Sequence, residues 1–158
     1  MTTLLLTHPA CIEHDPGEYH PESPARLKAV LAALDAPEFA SLDRREAPLA
    51  DPEDIARVHP RDFVEAMLNA VPAEGYAGVD ADTILSPGSG QAALRAAGAA
   101  VAAVDAVIAG EASNAFCAVR PPGHHAEPDR AMGFCQAMII RVSSPPVSDT
   151  ASGWRDSK

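Results

Sequence analysis

Two adjacent imidazoles occur in the run Arg120-Pro121-Pro122-Gly123-His124-His125-Ala126, behind a rigid diproline and a glycine. On a regular strand neighbouring side chains point to opposite faces, but a loop that begins at Gly123 can turn both rings towards one pocket. With an unperturbed pKa of about 6.5, one histidine can take a proton from water. Its neighbour, held charged or oriented by a carboxylate, can then stabilise charge or donate a proton. That division of labour suits hydrolysis of an unstrained amide, in which water is deprotonated and the departing amine protonated. A bare His-His dipeptide is more often a surface loop than a catalytic pair, so the context decides. Eight residues beyond His125 comes Gly133-Phe134-Cys135, which would bring an aromatic wall and a glycine backbone close to the imidazoles. Phe134 taken by itself reads as core.

The elements that must position this run follow from the apolar pattern. Thr3 to Thr7 reads as a buried strand that stops at His8-Pro9. Cys11 to Glu22 is polar and turn-rich and carries His14 and His20, which could line a pocket or be structural. Ser23 then resembles an N-cap with Pro24 at the first helical position, and Leu27, Val30, Leu31 and Leu34 fall on one helical face. Asp51-Pro52-Glu53 repeats the cap-then-proline signal for a short helix bearing Ile55 and Val58, and a second piece after Pro60 carries Phe63 and Met67. Gly75 to Pro87 reads as a loop with Asp80, Asp82 and Thr83. From Ser86 or Ser89 to Ile108 the spacing predicts the longest helix, with Leu94, Ala97, Val101, Val104 and Ile108 along one face and a stop at Gly110. Asn114 to Val119 is again strand-like and leads straight into Arg120. Helices alternating with buried strands predict an α/β layer fold with a parallel sheet, whose ligand site lies at the carboxyl ends of strands. The His pair sits at such an end.

Composition bounds the reading. The 158 residues are one domain's worth or a piece of a larger one, and 47% hydrophobic with 22% charged residues is globular usage. Aromatics at 4% beside 15 prolines and 10 glycines leave Ala, Leu and Val to build the core. Twelve basic against 22 acidic residues give a net charge of −10, which argues against nucleic acid, because phosphate contacts need a basic face. A cationic ligand suits that field better. Cys11, Cys117 and Cys135 are widely spaced and odd in number, so neither a disulfide framework nor a thiolate metal site is indicated, and a reducing cytoplasm fits. The start of the chain lacks a signal-peptide pattern, and the small-apolar stretch Ala96 to Gly110 is broken by Asp105, so no membrane segment is expected.

The run Arg120 to Ala126, followed by Met132-Gly133-Phe134-Cys135, resembles the signature of the zinc-dependent histone deacetylase superfamily, nearest its bacterial amidohydrolase and class II-like branch. His14-Asp15-Pro16-Gly17, His20-Pro21-Glu22-Ser23-Pro24-Ala25-Arg26-Leu27 and Asp80-Ala81-Asp82-Thr83 before the Ala-rich helix are similar to that branch in order and spacing. The resemblance covers residues 1–135 and implies a three-layer arginase/deacetylase-like α/β fold. It implies that His125 is the general base and acid acting on metal-bound water, with His124 as its electrostatic partner. It further implies that Gly133 lends its backbone to the substrate amide, that Phe134 walls a narrow tunnel gripping an acylated lysine-like chain, and that Arg26 lines an internal cavity beneath the site. From the residues alone Arg26 reads equally well as a helix-surface or salt-bridge arginine. Asp80 and Asp82 read as solvated loop carboxylates, or as groups at the rim. The implied substrate is an N-acetyl amide of a lysine side chain or a polyamine, and the implied cofactor is Zn2+.

The family's metal ligands, two aspartates and a histidine, begin in an Asp-x-His element, and no Asp-x-His occurs here. The family's later aspartate, its second tunnel phenylalanine and its tyrosine also have no counterpart after Cys135. Instead residues 136–158 form an off-family tail of Ser, Pro and Asp around Trp154, for which no fixed structure is expected. A shifted reading frame or a fusion would produce such a boundary. On this reading the chain is the N-terminal part of a deacetylase domain, with proton-transfer residues but no metal cage. It would be inactive and poorly stable alone. The alternative is a non-catalytic remnant that binds a partner through exposed apolar faces.

Overall fold

The computed structural model describes residues 1–136; the expectation of an unstructured tail falls, beyond Gln136, outside them. Strand β1 (Thr3–Thr7) is the middle of a three-stranded parallel sheet, flanked by β2 (Asp43–Glu46) and β5 (Asn114–Cys117) in the order β2-β1-β5. The register pairs Leu4 with Asp43 on one side and with Ala115 on the other. Between β1 and β2 run α1 (Ala10–Glu13) and α2 (Pro24–Leu34). Between β2 and β5 come α3 (Pro52–Ile55), α4 (Arg61–Asn69), a two-residue hairpin of β3 (Ala77–Gly78) and β4 (Ile84–Leu85), and α5 (Ser89–Ile108).

Strand β1 explains the layering. Alternate residues of a strand face opposite sides, and β1 is apolar on both. Leu4 and Leu6 pack with Ala99, Ala103 and Ala106 of α5, whereas Leu5 packs on the other face with Cys11, Leu27 and Ala118. The expected α2 face is the one used: Leu27 is buried, and Val30, Leu31 and Leu34 pack against the same cluster. Helices therefore cover both faces of a parallel sheet, as such sheets require. Asp51 caps α3 by accepting from the Glu53 amide at 3.0 Å. Ser23 holds the N-cap position of α2 but makes no side-chain cap bond.

Helix α5 departs from the reading of its pattern. The face packed on the sheet carries the small residues Ala99, Ala103 and Ala106; Ala92 and Ala96 are buried as well, and of the expected row Ala97 is buried while Ile108 is 65% exposed. Leu94, Val101 and Val104 are half-buried. The helix lies too close to its neighbours for longer side chains. At Gly98 an added Cβ would collide with the Pro48 carbonyl oxygen and come within 2.7 Å of the Ala50 amide. By length and hydropathy α5 also matches a membrane-crossing helix, but here its small-residue face packs on the sheet. Two further elements escaped the pattern. Strand β2 is Asp-Arg-Arg-Glu, a charged edge, and β3-β4 lies inside the segment read as a loop. Gln136, read as the first residue of the tail, is buried beside Ile55, Phe63 and Leu68.

Alanine is the better helix former by about 1 kcal/mol in a helix interior. At position 98 the close approach reverses that preference. Gly98→Ala should lower stability by about 1–3 kcal/mol, read as a lower urea midpoint; a raised midpoint would show that the helix is not held that tightly.

Candidate active site

The segment that leaves the carboxyl end of β5 is fixed from below by an arginine with almost no solvent access. Arg120 is 0% exposed, and its guanidinium meets the Glu22 carboxylate with two parallel bonds, Nε to Oε1 (2.6 Å) and Nη2 to Oε2. Its Nη1 donates to the carbonyls of Cys11 (2.9 Å) and His14 (2.8 Å). A charge this deep is tolerable only with its hydrogen-bonding capacity used in good geometry. The pair ties the start of the His-pair loop to the segment between α1 and α2. The Arg120-Pro121 peptide is cis.

Beside this pair lies His14, 2% exposed. Its Nδ1 is 2.7 Å from Ser89 Oγ, and its Nε2 is 3.7 Å from Glu22 Oε2. Ser89 Oγ accepts from the Ser86 amide at 2.7 Å and lies 3.2 Å from Ser86 Oγ, so the serine pair and the imidazole form one small buried network. Burial, reinforced by the Arg120 charge and only partly opposed by Glu22, pushes the His14 pKa down to about 4. His14 is thus a neutral structural clasp between the α1 segment and the start of α5.

Above Arg120 the two imidazoles stand side by side, not on opposite sides of the chain. The ring centroids of His124 and His125 are 4.1 Å apart at an interplanar angle of 52°, and both residues are exposed. The His125 amide donates to Cys135 Sγ at 3.3 Å, which links the loop to a tight turn, Met132-Gly133-Phe134-Cys135. That turn is closed by Cys135 N–H to Met132 O (3.0 Å) and Met132 N–H to Cys135 O (3.2 Å). Its central residues both have positive φ, +60° at Gly133 and +66° at Phe134, the signature of a primed turn. Gly133 is needed twice over: a Cβ there would also lie 2.7 Å from His125 Cβ. Burial raises the pKa of the Cys135 thiol, so it stays protonated and packs as an apolar group.

The structure thus brings His124, His125, Gly133 and Phe134 together. Arg26 lies further down. Its side chain is 53% exposed, 3.7 Å from Glu22, and it borders a hollow of about 480 Å³ shared with Glu22, Cys117, Val119, Pro122 and His124. Of the other candidates, Asp80 bonds only within its own loop, to the Ala81 amide, whereas Asp82 reaches Gly133. His20 sits edge-on to Phe134 with centroids 4.8 Å apart. His59, given no role from sequence, is buried, stacks on Phe63 and lies 2.6 Å from the Pro128 carbonyl, joining α4 to the segment after the His pair. Glu22 and Arg120 are the functional pair that the motifs alone do not reveal. The available signal was an arginine at the end of an apolar strand, where only a buried carboxylate could balance it. Among the described residues no three His, Cys, Asp or Glu side chains converge so as to hold a metal ion. These residues therefore do not fit a zinc site.

A parallel sheet covered on both faces by helices, with paired imidazoles and an aromatic turn beyond a strand's carboxyl end, defines part of an α/β domain built for chemistry at that end. The histone deacetylase domain model matches residues 20–143, and the chain belongs to that family. It is 45% identical over 125 residues to a histone deacetylase-like amidohydrolase of Pseudomonas aeruginosa, covering 78% of this chain and 33% of that protein. A probable deacetylase of Archaeoglobus fulgidus is 34% identical over 140 residues, covering 85% and 38%. Among solved structures the HDA15 HD domain superposes with a TM-score of 0.82 at 29% identity, covering 87% of this chain and 40% of that one. The chain thus spans about a third of the length of these curated relatives.

The His14 clasp has a pH signature. The unfolded chain binds the His14 proton near pH 6.5 and the folded chain only near pH 4, so acid favours unfolding. Stability should fall by up to about 3 kcal/mol as pH drops through that window. Urea melts between pH 7 and 4 should show a flatter profile for His14→Gln; equal slopes would mean that His14 is not buried in neutral form.

Proposed function

We propose that this chain supplies the proton-transfer and substrate-gripping part of a deacetylase that hydrolyses N-acetyl amides of lysine side chains or polyamines. Membership of the histone deacetylase family supports the reaction class. The observation that carries the residue roles is the His pair, rings 4.1 Å apart, beside the Gly133-Phe134 turn. His125 takes a proton from the attacking water and later returns it to the departing amine, while His124 at its side steadies the charge that passes between them. The balance is simple: water adds to the acyl carbon, the C–N bond breaks, and acetate and a free amine result. Phe134 walls the path of the acyl-bearing chain. With its amide committed to Asp82, Gly133 offers its carbonyl to the substrate N–H.

The Arg26-bordered hollow below His124 receives the small acid product. A net charge of −10 favours cationic substrates over nucleic acid, and three free thiols suit a cytoplasmic setting. The family is generally zinc-dependent, and the described residues provide no such set of ligands. On this proposal the metal-binding part of the site is contributed from outside them, and residues 1–136 alone do not turn over substrate.

The test is a chimera in which residues 1–136 replace the matching part of the Pseudomonas amidohydrolase. It should release acetate from an acetyl-lysine peptide or an acetylpolyamine, and His125→Ala should lower kcat by about 10²–10⁴-fold. Full activity in the His125→Ala chimera would remove His125 from the chemistry, and a folded chimera without acetate release would sink the proposed reaction.

A further inference from the structure

The loop before β4 is tied to the candidate site at several points that the proposed chemistry does not use. Asp82 Oδ1 accepts from the Gly133 amide at 3.1 Å and from Thr83 Oγ1 at 3.2 Å. Thr83 is 1% exposed, so the hydroxyl that aims this carboxylate is fixed in the interior. The Asp82 carbonyl receives His20 Nε2 at 3.0 Å. His20 Nδ1 in turn lies on the Glu22 backbone, 3.0 Å from its carbonyl and 3.2 Å from its amide. The His20 ring presses edge-on against Phe134. Asp82 therefore grips one half of the Gly133-Phe134 turn with its carboxylate, and with its backbone it holds the imidazole that backs the other half.

Such a grip has something to do. Phe134 is the one non-glycine at positive φ among the described residues, a conformation that costs about 1–2 kcal/mol. It persists only where the surroundings over-determine it. We infer that Asp82 and His20 are positioning residues for Phe134: they set where the aromatic wall stands without touching the reacting atoms. That the wall grips an acyl-bearing chain rests on the function proposed above; the clamp itself does not.

NMR of the full 158-residue chain tests the two separately. Asp82→Ala should move the Gly133 amide upfield, speed its exchange about tenfold or more, and erase the ring-current shifts that His20 and Phe134 impose on each other. Asp82→Asn keeps an oxygen acceptor and should retain the original signature. Thr83→Val, which fills the same space without the hydroxyl, should shift Gly133 in the same direction as Asp82→Ala. An acetyl-lysine peptide should then bind about tenfold more weakly to Asp82→Ala but not to Asp82→Asn.

Unchanged Gly133 and Phe134 resonances in Asp82→Ala and Thr83→Val overturn the clamp. Equal loss of peptide binding in the Ala and Asn variants would make Asp82 a charge contact for the ligand and overturn its positioning role. If the resonances behave as stated and no form binds peptide, the clamp stands and the acyl-site reading fails.

Discussion

The arrangement depends on one buried ion pair. Glu22 and Arg120 are 98 residues apart in sequence and meet with two parallel bonds where little solvent reaches. Neither charge would be tolerable there without the other, and removing one partner of such a pair typically costs about 3–5 kcal/mol. That is a large share of the 5–15 kcal/mol by which domains are stable. The pair fixes the relation between the segment entering α2 and the segment leaving β5, and every candidate site residue hangs from one of those two segments or from contacts with them.

From the pair the contacts run round the site in a closed circuit. Arg120 begins the loop that presents His124 and His125; His125 is bonded through its amide to Cys135 and lies against Gly133. Gly133 is held by Asp82, Asp82 by His20, and His20 by the backbone of Glu22. His14 and Ser89 add a neutral strut from the same region to the start of α5. The circuit is short-range at each step and joins parts of the chain that no local pattern connects. It explains how exposed imidazoles can keep a defined mutual geometry on a loop.

What could be read in advance divides along this line. Strand β1, helix α2 and the extent of α5 are legible because each has a local cause: a short run of leucines closed by His8-Pro9, a serine followed by proline, and a long Ala-rich stretch that stops at Gly110. The expected row on α5 holds at Ala97 and in part at Leu94, which pack with Ala50, Ile55 and Val64, and fails at Ile108, because close packing rather than side-chain size decides burial there. Close packing selects alanine at positions 92, 96, 99, 103 and 106 and turns Ile108 outward. Strand β2 was invisible because an edge strand can be charged throughout, with Arg45 paired to Asp43 and Glu111. The members of the candidate site were legible as motifs, yet Glu22, Arg120 and Thr83 acquire meaning only from partners that folding brings to them, and sequence spacing carries no trace of those pairings.

A double-mutant cycle across positions 22 and 120, read from urea unfolding of the full chain, probes the shared anchor most directly. Glu22→Gln and Arg120→Met should each be strongly destabilising, and the double variant should be more stable than the sum of the two losses allows by at least about 1.5 kcal/mol. Two losses that simply add would mean that the carboxylate and the guanidinium do not depend on each other, and the loop bearing the imidazoles would need a different foundation.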